Sequence, residues 1–220
     1  IGSGYIFLKK KNDDSVAETI DVTSSQISGS GTKVISIDTS NRLDSSTEYY
    51  IQIDATAFQD LAGNNYEGIN DKTTLSFITA DVIAPTLSSS NPADDATAVA
   101  IDSNIELTFS EAVDVESGNI YIKKSSDDSL VETINITSSQ VTGSGTNVIT
   151  INPIDDFAST TQYYVQIDSS AFDDLSGNSF DGISNSSTLN FTTADVIPPS
   201  LISSSPADDS TAVAIDGNIE

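Results

Sequence analysis

The stretch YYVQIDSSAFDDLSGN, Tyr163–Asn178, decides the fold of this chain because it joins a strand pattern to a turn and is repeated elsewhere. Every second residue along Tyr163–Ile167 is apolar, which is the period of a half-buried β-strand. Ser176–Asn178 then supplies residues that favour a turn. The same pattern occurs earlier as YYIQIDATAFQDLAGN, Tyr49–Asn64. The chain is therefore expected to contain two copies of one β-rich module.

The repeat extends far beyond this stretch. Residues 1–106 align with residues 115–220 without a gap, at the constant offset of 114 that relates Ser3 to Ser117. More than half of the aligned pairs are identical. A period of this length exceeds that of solenoid repeats and is typical of a string of independent domains.

Turn residues and prolines mark the module boundaries. The sequence Thr-Ala-Asp ends at Asp81 and again at Asp195, and a proline-bearing segment follows each time. Proline stiffens a linker and stops regular structure. We therefore predict that residues 1–80 are the C-terminal part of one module, residues 81–194 a complete module, and residues 195–220 the N-terminal part of a further module.

Two explanations of the partial modules remain open at this point. In the first, the sequence is a window onto a longer array of like modules. In the second, residues 195–220 of one chain complete the module begun by residues 1–80 of the next, because strand complementation is an established mode of recognition. The second explanation leaves the equivalent of Leu107–Asp114 unfilled.

Composition excludes several classes of function. The chain has 33 acidic and 8 basic residues, a net charge of −25, and neither cysteine nor histidine. Such a charge repels nucleic acid and anionic membrane, and no apolar run approaches the roughly 20 residues that span a bilayer. We therefore expect no nucleic-acid partner and no direct membrane insertion. The missing residue types remove cysteine nucleophiles, Ser-His-Asp triads, ordinary zinc sites and haem ligation.

Alternating apolar residues predict short strands throughout residues 81–194. No stretch has a helical period, so the expected class is all-β, with tandem antiparallel β-sandwiches of immunoglobulin type. The pairs Asp13-Asp14 and Asp127-Asp128 are interpreted as turn residues at hairpin tips. The predicted strands lie around 104–110, 120–122, 134–136, 149–151, 162–168 and 187–193, preceded by one at 85–91.

The two adjacent tyrosines of each repeat are expected to point to opposite faces of their strand. Tyr49 and Tyr163 are expected to pack in the core, and Tyr163 to make a bond that resembles the tyrosine corner of related sandwiches. Because successive side chains of a strand point to opposite faces, we expect Tyr50 and Tyr164 to point outward and to be available for contact with a partner.

An ordered set of motifs connects the chain to a known family. The set resembles the bacterial immunoglobulin-like domains of S-layer proteins and large surface adhesins, often called the fifth bacterial Ig-like group. Ala84 departs from the family by replacing the first linker proline, and Asp95 and Asp209 stand where the family often has glycine. The motifs are DVIPP at Asp195–Pro199, SNPADD at Ser90–Asp95, VAID at Val99–Asp102, LTFSE at Leu107–Glu111, YYVQI at Tyr163–Ile167, DLSGN at Asp174–Asn178 and FTT at Phe191–Thr193.

The resemblance implies a repeated spacer domain in a secreted or surface-anchored bacterial protein, without catalytic activity. An enzyme is also disfavoured by the residues themselves, since nothing builds an apolar pocket around the acidic pairs, and no tryptophan is present to stack a sugar. A glycoside hydrolase would need paired carboxylates with distinct environments.

The predicted topology places several carboxylates at one pole of the complete module. Asp81 lies in the entry linker, Glu111 follows a returning strand, and Asp168 and Asp174 follow another. Converging carboxylates repel one another unless a cation lies among them, and Ca²⁺ accepts six to eight oxygen ligands in irregular geometry. We therefore predict a calcium site formed by these four residues at the junction with the preceding module.

Equivalent residues extend this hypothesis along the chain. Asp54 and Asp60 match Asp168 and Asp174 in the first module, and Asp195 matches Asp81 and would begin the next junction. The alternative interpretation is that these loops are solvated and that Asp174 and Asn178 cap a turn through their side chains.

Two functions then compete. The first is a mechanical spacer or stalk whose modules, neighbours in one chain, are stiffened by calcium and hold an adhesive domain away from the cell. The second is a self-assembling structural protein, an S-layer or extracellular filament, in which identical chains contact one another laterally or end to end. A calcium requirement fits both, whereas the formation of discrete polymers fits only the second.

Overall fold

The computed structural model describes residues 1–220 of the chain. Its regular secondary structure consists of sixteen β-strands. Contacts between Cα atoms divide the chain into two compact units. Unit 1 contains residues 1–84 and the loop 173–178, and unit 2 contains residues 85–172 and 179–220.

Unit 1 is built on one four-stranded sheet with the order β2-β1-β5-β6, beside a two-stranded ribbon of β3 and β4. All of the pairs in these two sheets are antiparallel. Its strands are β1 Tyr5–Lys10, β2 Val16–Asp21, β3 Ile27–Ser28, β4 Ser36–Ile37, β5 Glu48–Ile53 and β6 Ser76–Ile78.

The segment from β7 to β16 forms two sheets, which confirms the predicted all-β sandwich. One has the order β11-β10-β14-β16-β8, in which only β8 is parallel to its neighbour, and the other has the order β12-β13-β9-β15 with β7 also paired to β9. The strands are β7 Leu87–Asn91, β8 Ala96–Val99, β9 Ile105–Val115, β10 Asn119–Lys124, β11 Leu130–Asn135, β12 Val141–Thr142, β13 Thr146–Ile151, β14 Gln162–Ile167, β15 Phe172–Asp174 and β16 Asn190–Thr193.

Inward side chains of both sheets form one core in unit 2. Ile105, Leu107 and Phe109 contribute from β9, and all three are at most 2% exposed. Val165 of β14 and Phe191 of β16 contribute from the other sheet and are fully buried. Alternation along each strand thus places one apolar face inside the sandwich, as expected for antiparallel sheets with one covered face.

The predicted tyrosine corner is present in both repeats. The hydroxyl of Tyr163 accepts a hydrogen bond from the backbone N–H of Ala158 at 2.9 Å. The hydroxyl of Tyr49 accepts one from Asp44 at 3.1 Å. Each tyrosine is 1% exposed, so its ring fills the core while its polar end is satisfied by the backbone five residues upstream.

Two predictions about strands and faces were wrong. The strand expected to end at Ser110-Glu111 continues as β9 to Val115, so Glu111 lies within a strand. Tyr50 and Tyr164, expected to face outward, are only 1% and 3% exposed. They are covered because the hairpin tip between β10 and β11, and its counterpart in unit 1, folds over them and bonds their hydroxyl groups.

Hairpin tips and turns rely on aspartate. Asp127 Oδ1 accepts the N–H of Ser129 at 3.1 Å, and Asp128 adopts a φ of 57°. Asp95, which stands at a position where the family often has glycine, has a φ of 59°. Aspartate tolerates this left-handed conformation better than most residues because its short side chain bonds locally.

Equivalent apolar side chains differ in burial between the units. Phe77 and Leu75 of unit 1 are 38% and 40% exposed, whereas Phe191 and Leu189 of unit 2 are fully buried. In unit 2, β8 pairs with the strand that carries Phe191. In unit 1 the corresponding strand, β6, is the last of its sheet.

No helix in the structure is long and apolar enough to cross a membrane.

The burial difference predicts unequal costs for the same substitution in the two units. Phe191→Ala removes a ring that packs 5.2 Å from Phe157 and 5.9 Å from Tyr163, measured between ring centroids, and should destabilise unit 2 by about 3–5 kcal/mol. Phe77→Ala, the matched control, should cost unit 1 roughly half as much, because part of the ring is already in water. Chemical denaturation followed by hydrogen exchange in each unit measures both, and equal costs would contradict the structure.

Candidate metal centre

The loop that follows β15 is organised around the carboxylate of Asp174. Its Oδ1 accepts hydrogen bonds from the backbone N–H groups of Ser176 and Asn178, both at 2.8 Å. Its Oδ2 accepts a hydrogen bond from Nδ2 of Asn178 at 2.7 Å. The backbone closes the same turn, since Asp174 N–H donates to Asn178 O at 2.9 Å. Asp174 is 4% exposed. Several donors on a carboxylate with about four acceptor positions fix the orientation of this side chain.

The surroundings of Asp174 act on its pKa in opposite directions. Burial raises the pKa, while the hydrogen bonds from Asn178, Ser176 and Gly177 lower it. The net result is a pKa below the usual value of 3.8, so the group is an anion at neutral pH. An ionised carboxylate is the form that binds a hard cation.

The equivalent loop of unit 1 has the same turn but a different environment. Asp60 Oδ1 accepts the N–H groups of Ala62 and Asn64, and Asp60 Oδ2 accepts Nδ2 of Asn64 at 2.7 Å. Asp60 is exposed. The turn-capping role that the sequence suggested as an alternative is therefore present in both repeats.

Each linker aspartate accepts a hydrogen bond from a serine in the preceding part of the chain. Asp81 Oδ1 accepts the hydroxyl of Ser45 at 2.9 Å and the N–H of Ile83 at 3.1 Å. Asp195 Oδ1 accepts the hydroxyl of Ser159 at 3.3 Å and the N–H of Ile197 at 3.0 Å. Both linkers therefore begin with the same bonded turn, which uses Oδ1 of the aspartate.

Asp81 and Asp174 lie together, as the sequence predicted. A carboxylate oxygen of one lies within 4.8 Å of a carboxylate oxygen of the other. Asp81 is half-buried and Asp174 is buried, so their repulsion is less screened by water than that of exposed groups. A cation between them would relieve this repulsion.

Glu111 belongs to unit 2. Its side chain is half-buried on β9 and is not without an interaction partner.

Asp168 lies outside the acidic group and supports a strand instead. Its Oδ2 accepts the backbone N–H of Asn119 at 2.9 Å, at the start of β10, and contacts the hydroxyl of Tyr121 at 3.4 Å. Gly118, with a φ of 112°, permits this approach, because a Cβ there would lie 3.0 Å from Asp168 Oδ2. Asp54 accepts the N–H of Tyr5 in the same way at 2.8 Å. The sequence indicated the strand end correctly but not the direction of the side chain.

Sequence reasoning missed a second polar arrangement on the sheet that contains β14. Asp94 accepts both the backbone N–H and Nδ2 of Asn190, at 3.0 and 2.7 Å. Asp128 accepts the hydroxyl of Tyr164 at 3.1 Å. The sequence did contain a sign that this surface differs between the repeats. Two lysines of the first repeat, Lys11 and Lys72, are replaced by serine in the second.

The similarity of the chain to known proteins lies at the level of a family. The model of a family described as the bacterial Ig-like domain matches residues 3–79 and 81–193. No curated protein matches the chain. Among solved structures, the crystal structure of CopC from Methylosinus trichosporium OB3b is similar over 53% of this chain and 99% of that chain, with 16% identity and a TM-score of 0.35.

The lowered pKa of Asp174 predicts a dependence of stability on pH. Because its pKa is lower in the folded state than the reference value of 3.8, its contribution is fully present above about pH 4 and is lost as pH falls through the folded pKa. The wild-type chain should therefore lose stability more steeply below pH 4 than Asp174→Asn, whose amide does not titrate. Urea unfolding between pH 6 and pH 2 measures the two slopes.

The matched control is Asp155→Asn, which removes one charge from an exposed loop residue. It should keep the wild-type slope. An Asp174→Asn slope equal to that of the wild type would show that the hydrogen bonds around Asp174 do not favour its ionised form.

Proposed function

The chain belongs to the bacterial Ig-like domain family, and on that premise we propose that it is a non-catalytic, repeated spacer of an extracellular bacterial surface protein. The observation that carries the proposal is the direct succession of two family matches, at 3–79 and 81–193, with only Ala80 between them. Domains of this family are typically non-catalytic. A short connection suits a module whose task is to set distance and stiffness, since short stiff linkers restrict domain motion.

The linker chemistry supports this proposal. Asp81 and Asp195 fix the start of each linker through a serine hydroxyl of the preceding segment. The backbone adds a further tie, because Val82 N–H donates to Ser45 Oγ and Val196 N–H donates to Ser159 Oγ. The same bonds at both linkers hold the first residues of each linker against the preceding segment.

We further propose that Ca²⁺ stiffens the junctions. Asp81 and Asp174 supply two carboxylates within reach of one ion, and Glu111 is the third proposed ligand. The donor set fits the ion, because it consists of hard oxygen ligands and includes an ionised, nearly buried Asp174. In this proposal Asp54, Asp60 and Asp168 keep the hydrogen-bonding roles described above, and Asp195 begins the next junction.

Thermal unfolding of the full chain in millimolar Ca²⁺, in Mg²⁺ and in chelator tests the calcium proposal. At a concentration 100-fold above the dissociation constant, an ion that binds only the folded state stabilises it by about 2.7 kcal/mol. We expect a calcium-specific rise in Tm that Asp174→Asn reduces and that Asp60→Asn, the equivalent change in the other repeat, preserves. An equal rise in Mg²⁺, or an undiminished rise in Asp174→Asn, would refute the proposed ligands.

Self-assembly is the second candidate, and one observation favours it. Phe77 of unit 1 is 38% exposed, and in the tail Leu201, Ile215 and Ile219 are at least 85% exposed. The equivalents of these tail residues, Leu87, Ile101 and Ile105, belong to the core of unit 2 or pack against it. Residues 195–220 of one copy, its tail, thus carry apolar side chains of the type that could cover the exposed Phe77 of another copy.

Sedimentation of the full chain over a range of concentrations separates the two candidates. The spacer proposal predicts a monomer throughout, and the assembly proposal predicts discrete polymers that Leu201→Asp and Ile215→Asp dissolve. These variants leave the junction carboxylates unchanged, so loss of polymers would not affect the calcium result.

A further inference from the structure

The two repeats differ at one polar cleft in a way that points to a ligand. In unit 1, Lys72 Nζ lies 2.5 Å from Asp14 Oδ2 and 5.9 Å from the centroid of the Tyr50 ring. The hydroxyl of Tyr50 donates to the other oxygen of Asp14 at 3.0 Å. A primary ammonium group therefore fills a place formed by one carboxylate and one aromatic face, an arrangement that cation–π attraction and an ion pair both favour.

Unit 2 keeps the receptor but lacks the lysine. Tyr164 is 3% exposed and its hydroxyl donates to Asp128 Oδ1 at 3.1 Å, as Tyr50 does to Asp14. The residue equivalent to Lys72 is Ser186, which is too short to reach Asp128 Oδ2 as Lys72 reaches Asp14 Oδ2. The carboxylate and the ring thus have the same mutual arrangement in both units, with an internal ammonium group in one of them.

A second cation is absent from the same surface. In unit 1, Lys11 Nζ lies 2.6 Å from Glu48 Oε1. The equivalent residues in unit 2 are Ser125 and Gln162. The ion pairs of Lys10 with Asp44, Lys11 with Glu48 and Lys72 with Asp14 lie within unit 1.

A cleft of about 300 Å³ is found where these lysines are replaced. The residues that line it include Ser125 and Ser186, at the two replaced positions, together with Asp95, Asp128, Gln162 and Tyr164. Every polar side chain among these six offers an oxygen acceptor, and none is cationic. The volume is at the lower limit of ligand pockets and suits a single side chain better than a larger molecule.

One lysine lies near the cleft but does not replace Lys72. Lys123 Nζ lies 6.0 Å from the centroid of the Tyr164 ring and donates to Gln166 Oε1 at 2.9 Å. Its equivalent in unit 1, Lys9, is present together with Lys72, 5.8 Å from the Phe7 ring. The two equivalent lysines thus lie near different rings, and in unit 2 Lys123 approaches Tyr164 while its hydrogen bond goes to Gln166 rather than to Asp128, so the carboxylate of the cleft is left for another cation.

We propose that the cleft of unit 2 binds the side-chain ammonium group of a lysine on a basic partner protein. The ammonium would occupy the position that Lys72 occupies in unit 1, with Asp128 Oδ2 and serine hydroxyls as acceptors and Tyr164 as the aromatic wall. A partner is favoured over a second copy because the chain carries a net charge of −25, which repels another copy and attracts a basic surface. This inference is independent of the calcium proposal, since it uses none of the junction carboxylates.

Titration of the ¹⁵N-labelled full chain with Nα-acetyl-lysine-N-methylamide tests the site. We expect saturable shifts at the backbone amides of Ser186, Ser187 and Asn190, with a dissociation constant of roughly 10 mM, because one partly exposed ion pair and one cation–π contact are weak. The Nε-acetylated probe, which has no charge, should bind at least about tenfold more weakly. The absence of saturable shifts at these amides, or equal binding of the neutral probe, would overturn the proposal.

The repeats supply matched variants. Ser186→Lys should place a lysine where Lys72 lies in unit 1 and abolish the shifts at Ser187 and Asn190. Lys72→Ser should open the same place in unit 1 and create new shifts at Thr73 and Thr74. Retention of the native spectrum outside the cleft shows that each variant is folded, so unchanged binding by a folded Ser186→Lys chain would refute the assignment.

Dilution of the unliganded chain tests the source of the lysine. Amide positions of Ser186–Asn190 that are independent of protein concentration support a basic partner. A concentration-dependent shift at these amides that Ser186→Lys removes would overturn that choice and assign the lysine to a second copy of the chain.

Discussion

The structure depends on the alternation of side chains along β9 and β14, whose inward residues share one core between two sheets. Ile105, Leu107 and Phe109 alternate with residues on the outer face, and Tyr163, Val165 and Ile167 do the same on β14. A shift of either strand by one residue would exchange its buried and exposed faces. Because the register of β14 is fixed in this way, the segment that follows it is also fixed, which is how Asp174 reaches its loop.

A chain with 33 acidic residues must place its carboxylates where their charge is tolerated. Many of them lie at turns and accept a backbone N–H two residues ahead, as Asp21 does from Thr23 and Asp127 does from Ser129. Such bonds stabilise the ionised form, and the pKa of Asp71, which accepts bonds from Thr73 and Thr74, is lowered most clearly. The acidic residues therefore organise the loops at neutral pH, and their protonation in acid would loosen the turns that hold the strands.

Patterns with a fixed period were read correctly from the sequence, and side-chain directions in irregular segments were not. The repeat and the strand class follow from spacing, because a period of two restricts the backbone to few solutions. The corner bond of Tyr163 follows from the resemblance to related sandwiches. Asp168 was misplaced because its rotamer depends on Gly118, a residue 50 positions away that permits close approach. Tyr164 was misplaced because the sequence does not show that the tip at Asp128 folds over it.

Repeats within one chain act as natural variants of each other, and their differences carry information that either repeat alone lacks. The equivalent residues Asp60 and Asp174 form the same hydrogen-bonded turn in both repeats. The exchange of Lys72 for Ser186 is of another kind, because the residues that hold the ammonium in unit 1 are retained in unit 2. In unit 2 the exposed carboxylate of Asp128 lacks the lysine partner that Asp14 has in unit 1, and Lys123 lies over the Tyr164 ring. The retained carboxylate and ring are the grounds for assigning the cleft to a cation supplied by a partner.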